Sequence, residues 1–470
     1  MTQDLAGLTL VELATAIADG SITSVAATAW SLERLRRIGP QLNCIAVLSD
    51  DTVLAQAETR DRERAAGKLR GKLHGVPLAH KDLFYRAGRV VASGSKVRAG
   101  FVPDSTATVL ERLDGAGALD LGSLHMCEFA YSPTGFNQQM GHARNPWDRE
   151  RVPGGSSSGS GAAVGARLVH GSLGSDSGGS LRHPASLCGL SGLKPTQTRV
   201  PRFGVLPLSH SLDCVGPLAP AARDVVRLLS VIAGADVRDA TASTQPVPDY
   251  ESLLDGDIRG LRIAVPDNYY YDTVADEVRV LLEASLDVLR GLGASVVRVT
   301  VPDIPQVNSL AQLVMAVEAA TVHRKWLAER RDDYGAIVRS RVEPGLLVPA
   351  VRYCEALNLR ARITSEFIDA TLGQADVLHL PAVTIPVPTI DETTTDTPDR
   401  VNARLGAITH ATRGINYLGL PAASVPMGFT ANGMPAGFQL VGRPFDEGGL
   451  LRVADAYQRV TDWHRRHPGL

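Results

Sequence analysis

The chain has 470 residues, 44% of them hydrophobic and 21% charged, a composition that lets it bury a large core. Its 48 lysines and arginines against 50 aspartates and glutamates leave a formal net charge of −2, and no basic run tracks a phosphate backbone, which argues against nucleic acid as a direct ligand. The opening "MTQDLAGLTLVELATAIADGS" has no basic leader and about 18 consecutive apolar residues occur nowhere, so the expectation is a soluble, cytoplasmic protein with no membrane contact.

In chain order, Thr9 opens the first element. Thr-x-x-Glu to Glu12 makes a capping box, and Leu10, Leu13, Ala14 and Ile17 share one helical face. A second helix is expected over 24–37. "NCIAVL" and "LHGVPLAHKD" read as short strands on either side of a charged helical stretch at about 51–64. Val109, Leu110 and Leu113 then mark a helix within 105–117, stopped by glycine and followed by the strand "ALDLGS". This alternation is an α/β signature.

Between Asn145 and Gly192 the composition turns to glycine and serine, which taken alone reads as a linker. The intervening "AAVGARLVHGSLG" is apolar at helical spacing, so both Gly-Ser clusters border ordered structure. Beyond them, "GLRIAVP", "VADEVRVLLEASLDVLRGLG" and "ASVVRVTVP" predict a βαβ unit over 260–302. Residues 308–372 read as wholly helical, and "ADVLHLPAVTIPVP" as strand. "AASVPMGF", the turn "TANGMP" and "AGFQLVG" predict a hairpin, with a closing helix from Gly449. The five cysteines, Cys44, Cys127, Cys188, Cys214 and Cys354, are scattered without a Cys-x-x-Cys pair and read as reduced, mostly buried thiols.

Three chemistries compete for the Gly-Ser region. "GSSSG" matches a nucleophile elbow centred on Ser157, but that elbow must follow a buried strand, and "NPWDRERVP" cannot be one. Gly159, Gly161 and Gly165 form a loose dinucleotide pattern that fails for the same reason. The third reading joins the serines of both clusters with Lys81. Amide hydrolysis needs an activated hydroxyl, a base, and donors aimed at the developing oxyanion. A lysine after the apolar "GVPLA" becomes a base if burial keeps it neutral, and Gly178 and Gly179 before Ser180 allow a turn whose N–H groups converge.

Here the sequence resembles the amidase signature family. "GVPLAHKD" is similar to its lysine motif, "VPGGSSSGSGAAV" to its first serine motif and "GSDSGGSLRHPASLCGLSGLKPT" to its nucleophile motif. The likeness continues through "SHSLDCVGPLA", "NYLGLPAASVPMGF" and "GMPAGFQLVGRPFDE", and is weak over 235–375. The resemblance implies Ser180 as nucleophile, Ser156 as relay after a cis peptide from Gly155, and Lys81 as base. It also implies an oxyanion hole from the backbone N–H groups of Ser177, Gly178, Gly179 and Ser180, with no metal or organic cofactor. Asp82, Asp176 and Arg182 are expected to brace the loops, and His80, His142 and His183 to be structural or pocket-lining. Serines at 175 and 177 in place of threonine, and Ser160-Gly161 in place of Ser-Ala, depart mildly from the family pattern.

The fold implied is one large α/β/α domain over 1–470, a mixed central sheet covered by helices on both faces, with core motifs at 75–220 and a variable helical substrate region at about 303–375. The function implied is hydrolysis of a carbon–nitrogen amide bond, extending to carbamates, anilides or esters of a small molecule, by a chain that can pair as a homodimer. Two rivals stand beside it: a glutaminase subunit of a tRNA-dependent amidotransferase, and a non-enzymatic binding protein on the same fold. "EFAYSPTGFNQQMGHARNPWD" resembles stand-alone amidases more than the glutaminase subunit. Met126, Phe129, Tyr131 and Phe136 are expected to line an apolar acyl pocket.

Overall fold

The computed structural model describes residues 4–49 and 52–470, so residue 51 of the expected charged helix lies outside the described residues. Among the described residues, eleven strands form two sheets. The smaller has the order β1-β3-β2, with β1 (Ile45–Leu48) antiparallel to β3 (Leu119–Leu124) and β2 (Pro77–Lys81) parallel to it. The larger has eight strands: β4 (Ser172–Asp176), β5 (Ser191–Lys194), β6 (Cys214–Ala219), β7 (Arg262–Pro266), β8 (Ser295–Val299), β9 (Val377–Pro381), β10 (Ala422–Phe429) and β11 (Pro435–Val441). Their spatial order is β4-β6-β5-β10-β11-β9-β7-β8.

The large sheet is mixed: β7 runs parallel to β8 and β9, and the remaining pairs are antiparallel. Every residue of β4, β5, β6, β9 and β11 is buried, which requires cover on both faces. Helices Arg182–Cys188, Ala222–Ile232, Asp276–Gly291 and Glu447–Arg459 supply it. The α/β/α expectation holds, and the predicted βαβ unit and C-terminal hairpin are both present.

Local sequence explains most element boundaries. Thr9 accepts from the Glu12 N–H and Glu12 accepts from the Thr9 N–H, closing the capping box. The second helix runs past the expected end at 37 to Leu42, through Pro40, and stops at Asn43 in the left-handed region. The stretch 308–372 is not one helix. It divides into Ile304–Glu329, Ala336–Val342 and Ala350–Thr371, the last two starting after Gly335 and Pro349 at their N-caps. Among the described residues, no helix is long and apolar enough to cross a membrane.

Two departures position the site. The apolar stretch after the first serine cluster is helical only over Ser158–Gly165, and from Ser172 it becomes β4, the edge strand paired with β6. The nucleophile-motif loop therefore sits between a buried strand and helix Arg182–Cys188. The lysine-motif strand, in turn, is not part of the central sheet: β2 belongs to the small one and lies beside β4, where the Leu173 N–H donates to His80 Nδ1 at 3.1 Å.

The small sheet depends on Gly122 in β3. Its φ is +130°, and a Cβ there would stand 2.1 Å from the Val47 carbonyl oxygen of β1. We predict that Gly122→Ala destabilises the protein by at least about 2 kcal/mol, read by chemical denaturation; an unchanged midpoint would contradict this role.

Candidate active site

Lys81 ends β2 with its side chain inside the protein, 1% exposed. Its Nζ contacts two hydroxyls, Ser156 Oγ at 2.8 Å and Ser175 Oγ at 2.9 Å, the second from β4. Burial lowers the amine's pKa to about 7, against the opposing pull of Cys127, Asp213 and Asp176. An ammonium removed from water and offered only hydroxyl oxygens loses hydration that they do not replace, so near neutral pH a large share of Lys81 is the free amine.

Ser156 follows a cis peptide from Gly155, as the resemblance implied. The two serine clusters meet through backbone: the Ser157 N–H donates to the Ser180 carbonyl at 3.3 Å, and Ser157 Oγ donates to the Ser175 carbonyl at 3.2 Å. Close packing enforces this approach. A Cβ on Gly155 would meet Cys127 Sγ at 2.7 Å, and one on Gly174 would meet Ser157 Oγ at 2.6 Å. Lys81, Ser156 and Ser180 are thus gathered from β2 and two Gly-Ser turns.

The turn carrying Ser180 is held by charge. Asp176 at the end of β4 accepts from the Gly179 and Leu181 N–H groups at 2.7 and 3.1 Å, from Arg182 Nε and Nη2 at 3.0 Å, and from Asn416 Nδ2 at 2.9 Å. Burial alone would raise its pKa, but the Arg182 guanidinium holds the carboxyl well below the usual carboxylate range. Arg182 also reaches Gln439 Oε1 at 2.8 Å and the Thr412 carbonyl at 3.1 Å, tying the turn to β11 and the C-terminal half. Asp176 and Arg182 brace the loop, as expected.

One expected oxyanion donor is corrected. The Gly179 N–H is committed to Asp176, so it does not face the site. Among the described residues, the N–H groups of Ser177, Gly178 and Ser180 meet no protein acceptor and stay free to donate. Gly179 still has to be glycine: its φ is +126°, and a Cβ would meet His183 Nε2 at 2.1 Å. Thr412 Oγ1 donates to the Gly178 carbonyl at 2.8 Å and fixes the neighbouring peptide.

The histidines make structural contacts, and His183 also lines the cavity beside Ser180, as expected. His183 contacts the Gly155 carbonyl at 3.2 Å and Thr412 Oγ1 at 2.8 Å, and burial keeps it neutral with a pKa of about 4. His142 accepts from the Asn137 N–H at 3.2 Å and stacks on Phe136. Asp213, missed by sequence reading, accepts from the Ser177 hydroxyl and from the Leu208 and Ser209 N–H groups at 2.8 and 3.0 Å. Burial raises its pKa. Among the described residues, no group of three or more His, Cys, Asp or Glu side chains is arranged as metal ligands.

Ser180 opens onto a cavity of about 540 Å³, within the roughly 300–1,000 Å³ usual for small-ligand sites. Tyr131 lines it, but the other three residues expected there do not. Met126 and Phe129 are core residues, 1% and 3% exposed, and Phe129 packs against His323, Trp326 and Tyr334. Phe129 sits at φ +49°, a local reversal that no periodicity announces. Phe136 is occupied by His142, with ring centroids 4.6 Å apart. Met315, Thr409, Arg341 and Arg413 line the cavity instead, so its wall is more polar than expected.

A family model described as Amidase matches residues 26–451. A glutamyl-tRNA(Gln) amidotransferase subunit of Chloroflexus aggregans is 38% identical over 98% of this chain and 98% of its own length. Among solved structures, a chain from a vestigial protein complex said to reveal the evolutionary origins of an s-triazine catabolic enzyme is 32% identical, with a TM-score of 0.89 over 96% of this chain and 98% of that one. Native peptide amidase of Stenotrophomonas maltophilia is 29% identical, with a TM-score of 0.84 over 98% of both chains.

The site makes one stability prediction. Arg182→Ala leaves the Asp176 carboxylate buried without its charge partner and should cost about 3–5 kcal/mol; a thermal melt within error of wild type would refute the bracing role.

Proposed function

From the premise that this chain belongs to the amidase family, whose enzymes act on carbon–nitrogen bonds, we propose that it hydrolyses the amide bond of a small molecule through an acyl-enzyme on Ser180. The observation that carries this reading is the 2.8 Å contact between a buried Lys81 amine, its pKa lowered to about 7, and Ser156 Oγ, next to the Ser157 N–H that donates to the Ser180 carbonyl. No carboxylate or histidine is needed as base.

In the proposed reaction, neutral Lys81 takes the Ser156 hydroxyl proton as Ser156 takes that of Ser180. Ser180 Oγ bonds to the carbonyl carbon, and the oxyanion is met by the N–H groups of Ser177, Gly178 and Ser180. The carbon–nitrogen bond breaks, and the leaving nitrogen receives the proton back along the same chain. Water then attacks the ester, the bond to Ser180 Oγ breaks, and the carboxylic acid departs with Ser180 reprotonated.

A second reading shares this chemistry. The curated relatives that are glutamyl-tRNA(Gln) amidotransferase subunits, at 37–39% identity over nearly their full length, support a glutaminase whose ammonia is used by a partner protein. On relatedness they favour it over the stand-alone enzyme that "EFAYSPTGFNQQMGHARNPWD" suggested. The solved peptide amidase supports the stand-alone reading. A partner-dependent glutaminase is expected to co-purify with other chains and to turn over glutamine poorly without them.

The deciding experiment is a panel of primary amides, anilides, carbamates and esters, with and without glutamine, given to wild type and Ser180→Ala. Turnover lost in Ser180→Ala is expected, and turnover retained there would reject the acyl-enzyme. Lys81→Ala should lower kcat/KM by about a thousandfold, within the span usual for a general base, while leaving the melt intact. Because only the free amine accepts a proton, kcat/KM for a stable amide should rise with pH through about 7 and then level off. A profile flat from pH 5 to 9 would remove Lys81 as the base.

A further inference from the structure

We propose that the substrate carries a carboxylate seated between Arg341 and Arg413 and bears no ammonium group. This rests on the amide-hydrolysis reading above and names its substrate class. Arg341 comes from helix Ala336–Val342 and Arg413 begins helix Arg413–Leu418, and both side chains line the cavity that Ser180 opens onto.

The contacts of the two guanidiniums are all to neutral oxygens. Arg341 donates to the Tyr131 carbonyl; Arg413 donates to Thr409 Oγ1 at 3.0 Å and reaches Gln312 Oε1 at 3.5 Å. Among the described residues neither forms an ion pair, whereas Arg182, on the other side of the Ser180 turn, is paired with Asp176. The two arginines are near enough that the Arg413 charge disfavours that of Arg341, and both act on the Tyr131 phenol. Burial disfavours the charged form of each. Two half-buried like charges at one wall are costly unless an anion joins them.

The remainder of the lining sharpens the class. Among the described residues, no aspartate or glutamate borders this cavity. An ammonium would therefore lose its water and face two guanidiniums with no counter-charge. A carboxylate, by contrast, suits the planar guanidinium fork, which can give it two parallel N–H bonds. The pattern selects a monoamide of a dicarboxylic acid over both the neutral diamide and an α-amino acid amide such as glutamine.

The test compares malonamate, succinamate and glutaramate with the matching neutral diamides and with glutamine, in wild type, Arg341→Gln, Arg413→Gln, Arg413→Lys and Ser180→Ala. In wild type, kcat/KM for the best monoamide should exceed that of its diamide by at least about tenfold, the discrimination that one charge-assisted contact provides. That ratio should collapse toward one in Arg341→Gln and Arg413→Gln and be partly kept in Arg413→Lys. Equal rates for acids and diamides, or a preference for glutamine, would overturn the carboxylate site; Ser180-dependent turnover of diamides in that same result would leave the amidase reading standing. If no compound turns over, calorimetry with succinamate decides. Binding to Ser180→Ala that weakens about tenfold on adding Arg413→Gln supports the site, and absent or unchanged binding rejects it.

Discussion

The structure depends on how little Lys81 is given. Its amine is enclosed by the junction of two sheets and meets two serine hydroxyls, with no carboxylate in direct contact among the described residues. Hydroxyls accept a hydrogen bond but do not neutralise a charge, so burial penalises the protonated form and the neutral form gains by comparison. Several features of the fold preserve that enclosure. Strand β2 stands off the central sheet and leans on β4, which places Ser175 against the amine. Glycines 155 and 174 admit the serine turns with no space for a side chain. Asp176, an ionised acid that acts on Lys81, is occupied by Arg182 and by backbone N–H groups of its own turn.

This division of charge orders the rest of the site. On one side of the Ser180 turn the buried ion pair is further hydrogen-bonded by Gln439, Asn416 and Thr412, which tie that side to the C-terminal half. On the other side, Arg341 and Arg413 have no acid paired with them among the described residues and line the cavity. Charges that are paired hold the loop in shape, and charges that are unpaired await what enters. The same acyl-transfer groups would serve a stand-alone amidase or a glutaminase, so the distinction falls on the cavity wall.

Much of this was legible in the sequence because it depends on local pattern. The capping box at Thr9, the βαβ unit and the final hairpin follow from residue spacing alone, and the three motifs placed Lys81, Ser156 and Ser180 in one neighbourhood. What escaped was non-local. Strand β4, "SLGSD", has the composition of a loop and becomes a strand only because β6 pairs with it. The separation of β2 from the main sheet is a matter of pairing partners. Met126 and Phe129 were expected in the pocket for their chemistry, but a left-handed reversal at Phe129 turns its ring into the core. Arg341 lies in the helical stretch 303–375 and Arg413 just before "NYLGLPAASVPMGF", with no spacing to link them; helices Ala336–Val342 and Arg413–Leu418 both pack on Ile304–Glu329, and that brings the two arginines to one wall. The Gly179 N–H looked free until the turn showed Asp176 already holding it.

The most direct test of the central claim is the ionisation of Lys81 itself, followed by the Nζ chemical shift of 15N-lysine-labelled protein against pH and assigned by loss of the signal in Lys81→Ala. A titration centred at about 7 is the predicted result. A Lys81 that stays protonated up to the ordinary lysine value of 10.5 would contradict it, because the buried amine would then be an ammonium unable to accept a proton.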